Sequence, residues 1–372
     1  MTNFHPLFYI FCFFLCIQLY FLIRYFLKLS FFAPEPTPSH SQPEVSVVIC
    51  AHNEIDNLRE RLQSILTQEY PVFEVIVVDD RSHDGSYDWL LSIRNDYPFL
   101  KVVRIDEVPL HINHKKYALT IGIKASQYET ILLTDADCKA ISKNWIAKMA
   151  YCYGKDTKIV LGVSQYEKST GLLNKFIRYE TLQTAILYLS LALSGKPYMG
   201  IGRNLSYKRS LFLENKGFKE YLNITGGDDD LFVNKHANGT NTAICTDMQA
   251  TLYSKPKTSW KDFITQKKRH LSVGKFYRKK DKFLLGLYHV SQTMLWIFFI
   301  FVIGVGQMQE ILLVSLLMAL RMIGQCVVFR KTSTKFGDIN KLWLFPLLEI
   351  LFNIYYWVIG TNALLSKKVK WK

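Results

Sequence analysis

Grouped aspartates, each group closing or following an apolar run, are the part of this 372-residue sequence best able to do chemistry. Asp79 and Asp80 close VVDD at 77–80, Asp135 and Asp137 lie in TDAD at 134–137, and Asp228, Asp229 and Asp230 end GGDDD at 226–230. Residues i and i+2 of an extended backbone point the same way, so Asp135 and Asp137 can turn both carboxylates to one site. Oxygen ligands of this kind suit Mg2+ or Mn2+, which keep positions for the phosphates of a substrate. Adjacent carboxylates repel each other, so Asp79 and Asp80 make a poor structural pair and better acceptors for a polar ligand. In the third cluster a carboxylate can serve as a general base toward a hydroxyl; a run of aspartates capping a helix from Leu231 is the alternative reading. Further on, QKKRH at 266–270 sets Gln266 and Arg269 three apart, on one helix face. A planar guanidinium there can clamp a diphosphate, and the same basic helix can also lie on a membrane surface.

The elements that must position these groups are legible as an α/β alternation. Buried strands are expected at 45–50 (VSVVIC), 73–78, 101–105 and 130–133, with further strands at 159–163 and 243–253. Helical spacing runs through 53–68, where Ile55, Leu58, Leu62, Ile65 and Leu66 share a face, and through 86–94 and 115–126. A long helix is expected over 171–194, a glycine-rich loop over 195–206, and a loop that becomes a helix over 225–236. This order predicts a mainly parallel sheet with helices on both faces. The first two acidic clusters then emerge at its carboxyl edge, where open α/β sheets bind ligands.

Apolar segments at 4–27, 284–305, 311–329 and 342–365 each approach or exceed the ~20 residues of a membrane-crossing helix. The first has its basic residues, Arg24 and Lys28, after the apolar run, which favours an uncleaved anchor over a signal peptide. The net charge of +15 is concentrated: 255–282 holds eleven Lys/Arg against two acidic residues, a net +9. A basic stretch abutting apolar spans points to anionic lipid on the cytoplasmic side rather than to nucleic acid. The last segment contains Pro346, Glu349 and Asn353, so it either crosses or re-enters. Arg321 and Glu349, both mid-span, are expected to pair or to line a polar cavity.

VSVVICAHNE, VVDDRSHDGS, LTDADC, GIGRNLSYKRS, GGDDDLF and QKKRH together resemble the membrane-anchored family 2 glycosyltransferases, which have a GT-A fold. The resemblance covers roughly 45–270. It implies transfer of a sugar, with inversion, from a nucleotide-diphospho-sugar, usually UDP-linked, with Mg2+ or Mn2+. The acceptor would be membrane-proximal, a glycolipid or growing polysaccharide. By the same resemblance Ala51, Asn53 and Glu54 meet base and ribose, although Asn53 and Glu54 could equally cap a helix. Asp79 and Asp80 recognise uridine, and Lys115 reaches donor phosphate or base. Asp137 is the direct metal ligand, with Asp135 orienting the site or touching ribose. Asp228 stands where the family's base lies, with Asp229 as the other candidate because Gly227 replaces the usual acidic neighbour. Gly202, Arg203 and Asn204 belong to an acceptor loop, Gln266 and Arg269 to the diphosphate clamp. His270 takes the place of a tryptophan that forms part of the acceptor site in other members. The implied division is an anchor (1–30), a proline-rich linker (31–44), a catalytic domain (45–253), a basic interface segment (254–283) and a membrane region (284–372). The catalytic domain would face the cytoplasm, at a bacterial inner membrane. Transfer to polyprenyl phosphate, or non-catalytic sensing of sugar nucleotides, are the alternatives.

Overall fold

The computed structural model describes residues 4–33, 42–337 and 344–365. Residues 34–41 of the expected linker and the basic tail 366–372 lie outside the described residues. In chain order the strands are β1 (Val45–Ala51), β2 (Phe73–Asp80), β3 (Leu100–Ile105), β4 (Thr130–Asp135), β5 (Cys138–Ala140), β6 (Ile159–Leu161), β7 (Ser164–Tyr166), β8 (Leu205–Lys208), β9 (Thr242–Ile244) and β10 (Leu252–Ser254).

One sheet runs β3-β2-β1-β4-β8-β6-β9 and a smaller one β5-β10-β7. Strands β1 to β4 pair in parallel, β8 is antiparallel to both β4 and β6, and β9 is parallel to β6. The expected mainly parallel sheet is therefore present, with one reversed strand inside it. Alternation along the strands divides the core. Val47, Ile49, Val75 and Val77 face a layer built from Leu58, Leu62, Ile65, Leu90 and Trp145. Val48, Ile76, Val78, Ile131 and Leu133 face Ala118, Leu119, Ile123 and the Leu172–Leu193 helix. The His114–Ala125 helix approaches the sheet so closely at Gly122 that a Cβ there would stand 2.6 Å from Val48 Cγ1.

The single strand expected over 243–253 is in fact two. β9 joins the large sheet, a 3-10 turn at Met248–Ala250 redirects the chain, and β10 enters the small sheet beside β5 and β7. The expected 53–68 helix is present as Ile55–Arg61 and Gln63–Leu66, joined through Leu62, which keeps helical angles and donates to the Leu58 carbonyl. The 195–206 loop ends in the start of β8.

Among the described residues three helices are long and apolar enough to cross a membrane: Pro6–Phe31, Lys279–Val305 and Met308–Lys335. The Phe345–Leu365 helix is not one of these three. It packs against the Trp260–Val273 helix instead, Tyr355 stacking on Phe263 with centroids 5.8 Å apart. Its Glu349 takes both guanidinium nitrogens of Arg321, at 2.6 and 2.7 Å, so the two mid-segment charges pair. Phe21, Tyr25, Tyr288 and Phe329 belong to the same buried cluster as the sheet residue Val78, making the core continuous from sheet to apolar helices.

Candidate active site

β4 ends at Asp135 and β5 starts at Cys138, so Asp137 sits in the tight connection between the two sheets. Asp135 and Asp137 both line a cavity of about 490 Å3, with Lys115, Asp228, Asp229, Gly202, Arg203, Gln266, Arg269 and His270 also in its wall. Lys115 occupies the first turn of the His114–Ala125 helix, against the helix dipole. Its position is explained by what it touches: Nζ lies 2.9 Å from Asp135 Oδ1 and 3.3 Å from Asp228 Oδ2. Burial would lower the ammonium's pKa, but Asp135, Asp228 and Asp229 outweigh it and hold the value well above normal. The neighbouring Lys116 turns away, donating to the carbonyls of Ile224 and Gly226, and burial lowers its pKa to about 8. It thereby ties the turn that carries the third acidic cluster.

That turn requires glycine. Gly226 and Gly227 have φ of +79° and +78°, and a Cβ on Gly227 would come within 2.8 Å of Leu231. This accounts physically for glycine where the family pattern has an acidic residue. Beyond it the aspartates separate into roles. Asp229 caps the Asp230–His236 helix and has both oxygens engaged by backbone N–H groups, Oδ1 by Asp230 (2.8 Å) and Oδ2 by Gly202 (2.6 Å). Burial and the adjacent Asp228 push its pKa up to about 6. Asp228 pairs through Oδ2 with Lys115; burial opposes its ionisation, but Lys115 and Lys116 still keep its pKa below the usual carboxylate value. Asp230 is buried among these acids and its carboxyl is raised well above normal, burial being the main cause.

Across the cavity, Arg203 lies over the Tyr166 ring at 4.4 Å, and its buried Nη1 has no partner among the described residues. Gln266 donates to Tyr166 Oη at 3.4 Å. On the same helix His270 lines the cavity; desolvation there, together with the charges of Arg269 and Lys267, holds its pKa well below normal. Asn204 departs from its expected place in the acceptor loop. It is fully buried, accepts from Trp145 Nε1 (3.0 Å) and donates to the carbonyls of Val163 (2.7 Å) and Ala250 (2.8 Å). It therefore ties the two sheets together and has no amide group left for a ligand.

Ala51, Asn53, Glu54, Asp79 and Asp80 are outside that cavity wall, on the carboxyl edge of β1 and β2. Asn53 adopts φ of +55° and accepts from His83 N at 2.8 Å, holding the loop after β2 against the one after β1. The capping reading of Asn53 and Glu54 fails, because the cap position, Glu54, makes no side-chain cap bond and Asp84 accepts from Ile55 N instead. Asp80 pairs with Arg81 at 2.8 Å, and Asp79 Oδ1 is buried without a partner among the described residues. This edge adjoins the cavity: burial is the main influence on Cys50, at the end of β1, yet it also feels the charges of Lys115, Asp135, Asp228 and Asp80. Glu54 likewise has its pKa raised by burial and by Asp137 and Asp135.

The donor set can be tested against a divalent ion. No group of three or more His, Cys, Asp or Glu residues gathers among the described residues, so any ion here must draw further ligands from a substrate or water. Asp137 suits that arrangement. It is half-buried, raised in pKa by desolvation and by Asp135, and its hydrogen bond is the weak one from the Cys138 thiol at 3.6 Å. A cation would relieve that repulsion, and the hard oxygen donors match Mg2+ or Mn2+. Reading the sequence alone missed Tyr166 and the buried Lys267–Glu180 pair (2.5 Å) on this wall. Only the three-residue strand β7 brings Tyr166 there, and it leaves no periodic signal.

The sheet order, with an acid-lined cavity at its carboxyl edge, is that of a GT-A-like fold. A mannosyltransferase, PcManGT from Pyrobaculum calidifontis, solved with GDP-Man and Mn2+, superposes with a TM-score of 0.63 over 97% of this chain and 100% of its own, at 18% identity. Residues 46–214 match the family model Glycosyl transferase family 2. The probable glycosyltransferase YdaM of Bacillus subtilis is 35% identical over 136 residues, 36% of this chain and 30% of its own. The poly-beta-1,6-N-acetyl-D-glucosamine synthase of Staphylococcus epidermidis is 32% identical over 100 residues, 26% of this chain and 23% of its own. The chain thus spans less than a third of the length of either relative.

Proposed function

We propose that this protein is a membrane-bound inverting glycosyltransferase that moves a sugar from a nucleotide-diphospho-sugar, UDP-linked by family resemblance, to a membrane-proximal acceptor. The observation that carries this reading is the Lys115 ammonium lying between Asp135 and Asp228 in one cavity, joining the DxD element to the third acidic cluster. The PcManGT complex, holding a sugar nucleotide and Mn2+, lends the donor class its support.

In this reading the edge formed by Ala51, Asn53, Glu54, Asp79 and Asp80 receives base and ribose. Asp137, with Asp135 beside it, holds Mg2+ or Mn2+, and the ion when bound neutralises the diphosphate. Arg269 and Gln266 grip the diphosphate from the basic helix, and Arg203 adds its positive charge to the same wall. The acceptor oxygen bonds to the anomeric carbon as the sugar–phosphate bond breaks; the nucleoside diphosphate leaves with the bonding electrons and the acceptor proton passes to a carboxylate. We assign that carboxylate to Asp228, which Lys115 and Lys116 keep ionised, whereas both oxygens of Asp229 are held by backbone. Gly202 and His270 flank the acceptor. The basic segment 254–283 rests on anionic lipid, with the catalytic domain (45–253) in the cytoplasm.

The test is a donor screen on membranes containing the full chain, reading nucleoside diphosphate release with and without Mn2+. Release from at least one UDP-sugar, lost in Asp137→Ala and Asp228→Asn, is expected. Equal release from both variants would refute the assignment, and release from a GDP-sugar alone would correct the base.

A further inference from the structure

The helix that follows the third acidic cluster, Asp230–His236, has seven residues, too few to hold an orientation of its own. What it touches therefore decides where Asp228 and Asp229 stand. Its N-terminal end is set by the cavity wall: Asp229 accepts from Gly202 N at 2.6 Å, and Asp230 accepts from the Tyr277 hydroxyl. Its other end is held by the entry to the Lys279–Val305 helix. Arg278, just before that helix, uses every guanidinium nitrogen. Nε donates to Asp281 Oδ2 (2.7 Å), Nη1 to the Ala237 carbonyl (3.3 Å) and Nη2 to the Pro197 carbonyl (2.6 Å). Asn234, 3% exposed, is engaged at both ends of its amide. Its Oδ1 accepts from Arg278 N (2.9 Å), and its Nδ2 donates to Asp281 Oδ2 and to the Tyr198 carbonyl (both 2.9 Å). A cation beside the last carbonyl of one helix and an acid in the first turn of the next also suit both helix dipoles. Three segments meet here: the loop running from Pro197 to Gly202, the helix after Asp228, and the start of a helix long and apolar enough to cross a membrane. The bonds just given include no residue of the β1, β2 or β4 edge.

We infer that Arg278, Asn234 and Asp281 are positioning residues: they fix the membrane-entry turn to the helix behind Asp228, so that the start of a membrane helix holds this carboxylate at the reaction centre. The inference rests on the glycosyl-transfer reading for the step it affects, but the mechanical link is measurable without turnover. Arg278 acts through the fork of its guanidinium and not through its charge. That separates it from the other basic residues of 254–283, for which any positive charge toward anionic lipid suffices. A lysine's single nitrogen cannot stand at two carbonyls and a carboxylate that the fork reaches from separate atoms.

The full chain, in nanodiscs of phosphatidylcholine and phosphatidylglycerol, is compared with Arg278→Lys, Arg278→Met and the milder Asp281→Asn. Hydrogen exchange is read by mass spectrometry with no substrate present. It is expected to quicken about tenfold over 228–237 in both Arg278 variants, with exchange over 45–51 and 73–80 unchanged. In the same variants kcat should fall about 10–100-fold, since a displacement of ~1 Å at the reacting group costs that much. UDP with Mn2+ should still bind at the parent's affinity and stoichiometry, which excludes an unfolded fraction as the cause. Asp281→Asn should show the same pattern at smaller size. Parental exchange over 228–237 or parental kcat in Arg278→Lys would overturn the inference, as would a rate loss matched by lost UDP stoichiometry in all three variants. A parent chain that neither binds UDP nor turns over a UDP-sugar sinks the transferase reading, while the exchange data decide the link alone.

Discussion

Lys115 Nζ stands 3.3 Å from Asp228 Oδ2, joining the start of a helix packed on β1 and β2 to a turn far along the chain. The same ammonium holds Asp135, so one cation sets the charge of both elements assigned to the reaction. Removing it as Lys115→Met leaves the acids facing one another. The lysine side chain is 22% exposed, so the loss is discounted from that of a fully buried pair, to about 2 kcal/mol. A melting temperature lower by a few degrees checks this. The acid limb of the activity profile should also move to higher pH, since Asp228 loses the main partner that holds its pKa down.

Asp228→Asn removes the proton acceptor and leaves the volume. Turnover is expected to fall by about 10^2–10^4, with affinity for UDP and Mn2+ within about threefold of the parent. Calorimetry and a nucleotide-release assay on one preparation measure both. A drop in affinity matching the drop in rate would place Asp228 at the donor instead.

Asp229 predicts opposite responses of activity and stability to acid. Its pKa near 6 means that protonation below that pH weakens its hold on Gly202, so turnover declines below about pH 6. Because the folded value lies above the unfolded one of ~3.9, its contribution to stability is full below about pH 4 and is lost as pH rises through 6. In Asp229→Asn the acid limb of activity should shift to lower pH, and the gain in melting temperature between about pH 6 and 4 should shrink. Parallel pH series of rate and unfolding decide it.

Arg321 and Glu349 make a second prediction about paired charge. The pair is at most 1% exposed, and Gln292 and Gln18 add hydrogen bonds to it across the apolar helices. Arg321→Met alone should cost ~3–5 kcal/mol by stranding Glu349, while Arg321→Met with Glu349→Leu should recover most of it. Unfolding in detergent, followed by fluorescence, gives both values.

What could be read before folding follows the range of the interactions. β1, β2 and β4 declare themselves as β-branched runs, so Asp79, Asp80, Asp135 and Asp137 could be placed on a sheet edge from local pattern alone. The pairing of Arg321 with Glu349 was legible because an isolated charge in an apolar segment demands a partner. The small sheet was not, since β5, β7 and β10 have three residues each, too few for a period. That omission hid Tyr166 and misplaced Asn204, whose bonds to Val163 and Ala250 exist only once both sheets form.

The central claim is that a metal-held nucleotide sits between the β4 edge and the basic helix, facing Asp228. Anomalous scattering from Mn2+ in crystals grown with UDP measures it most directly. The account predicts a manganese peak at about 2.1–2.2 Å from an Asp137 carboxylate oxygen, with the diphosphate between it and Arg269. A peak elsewhere in the chain, or UDP bound away from Asp135 and Asp137 with no metal between, would contradict it.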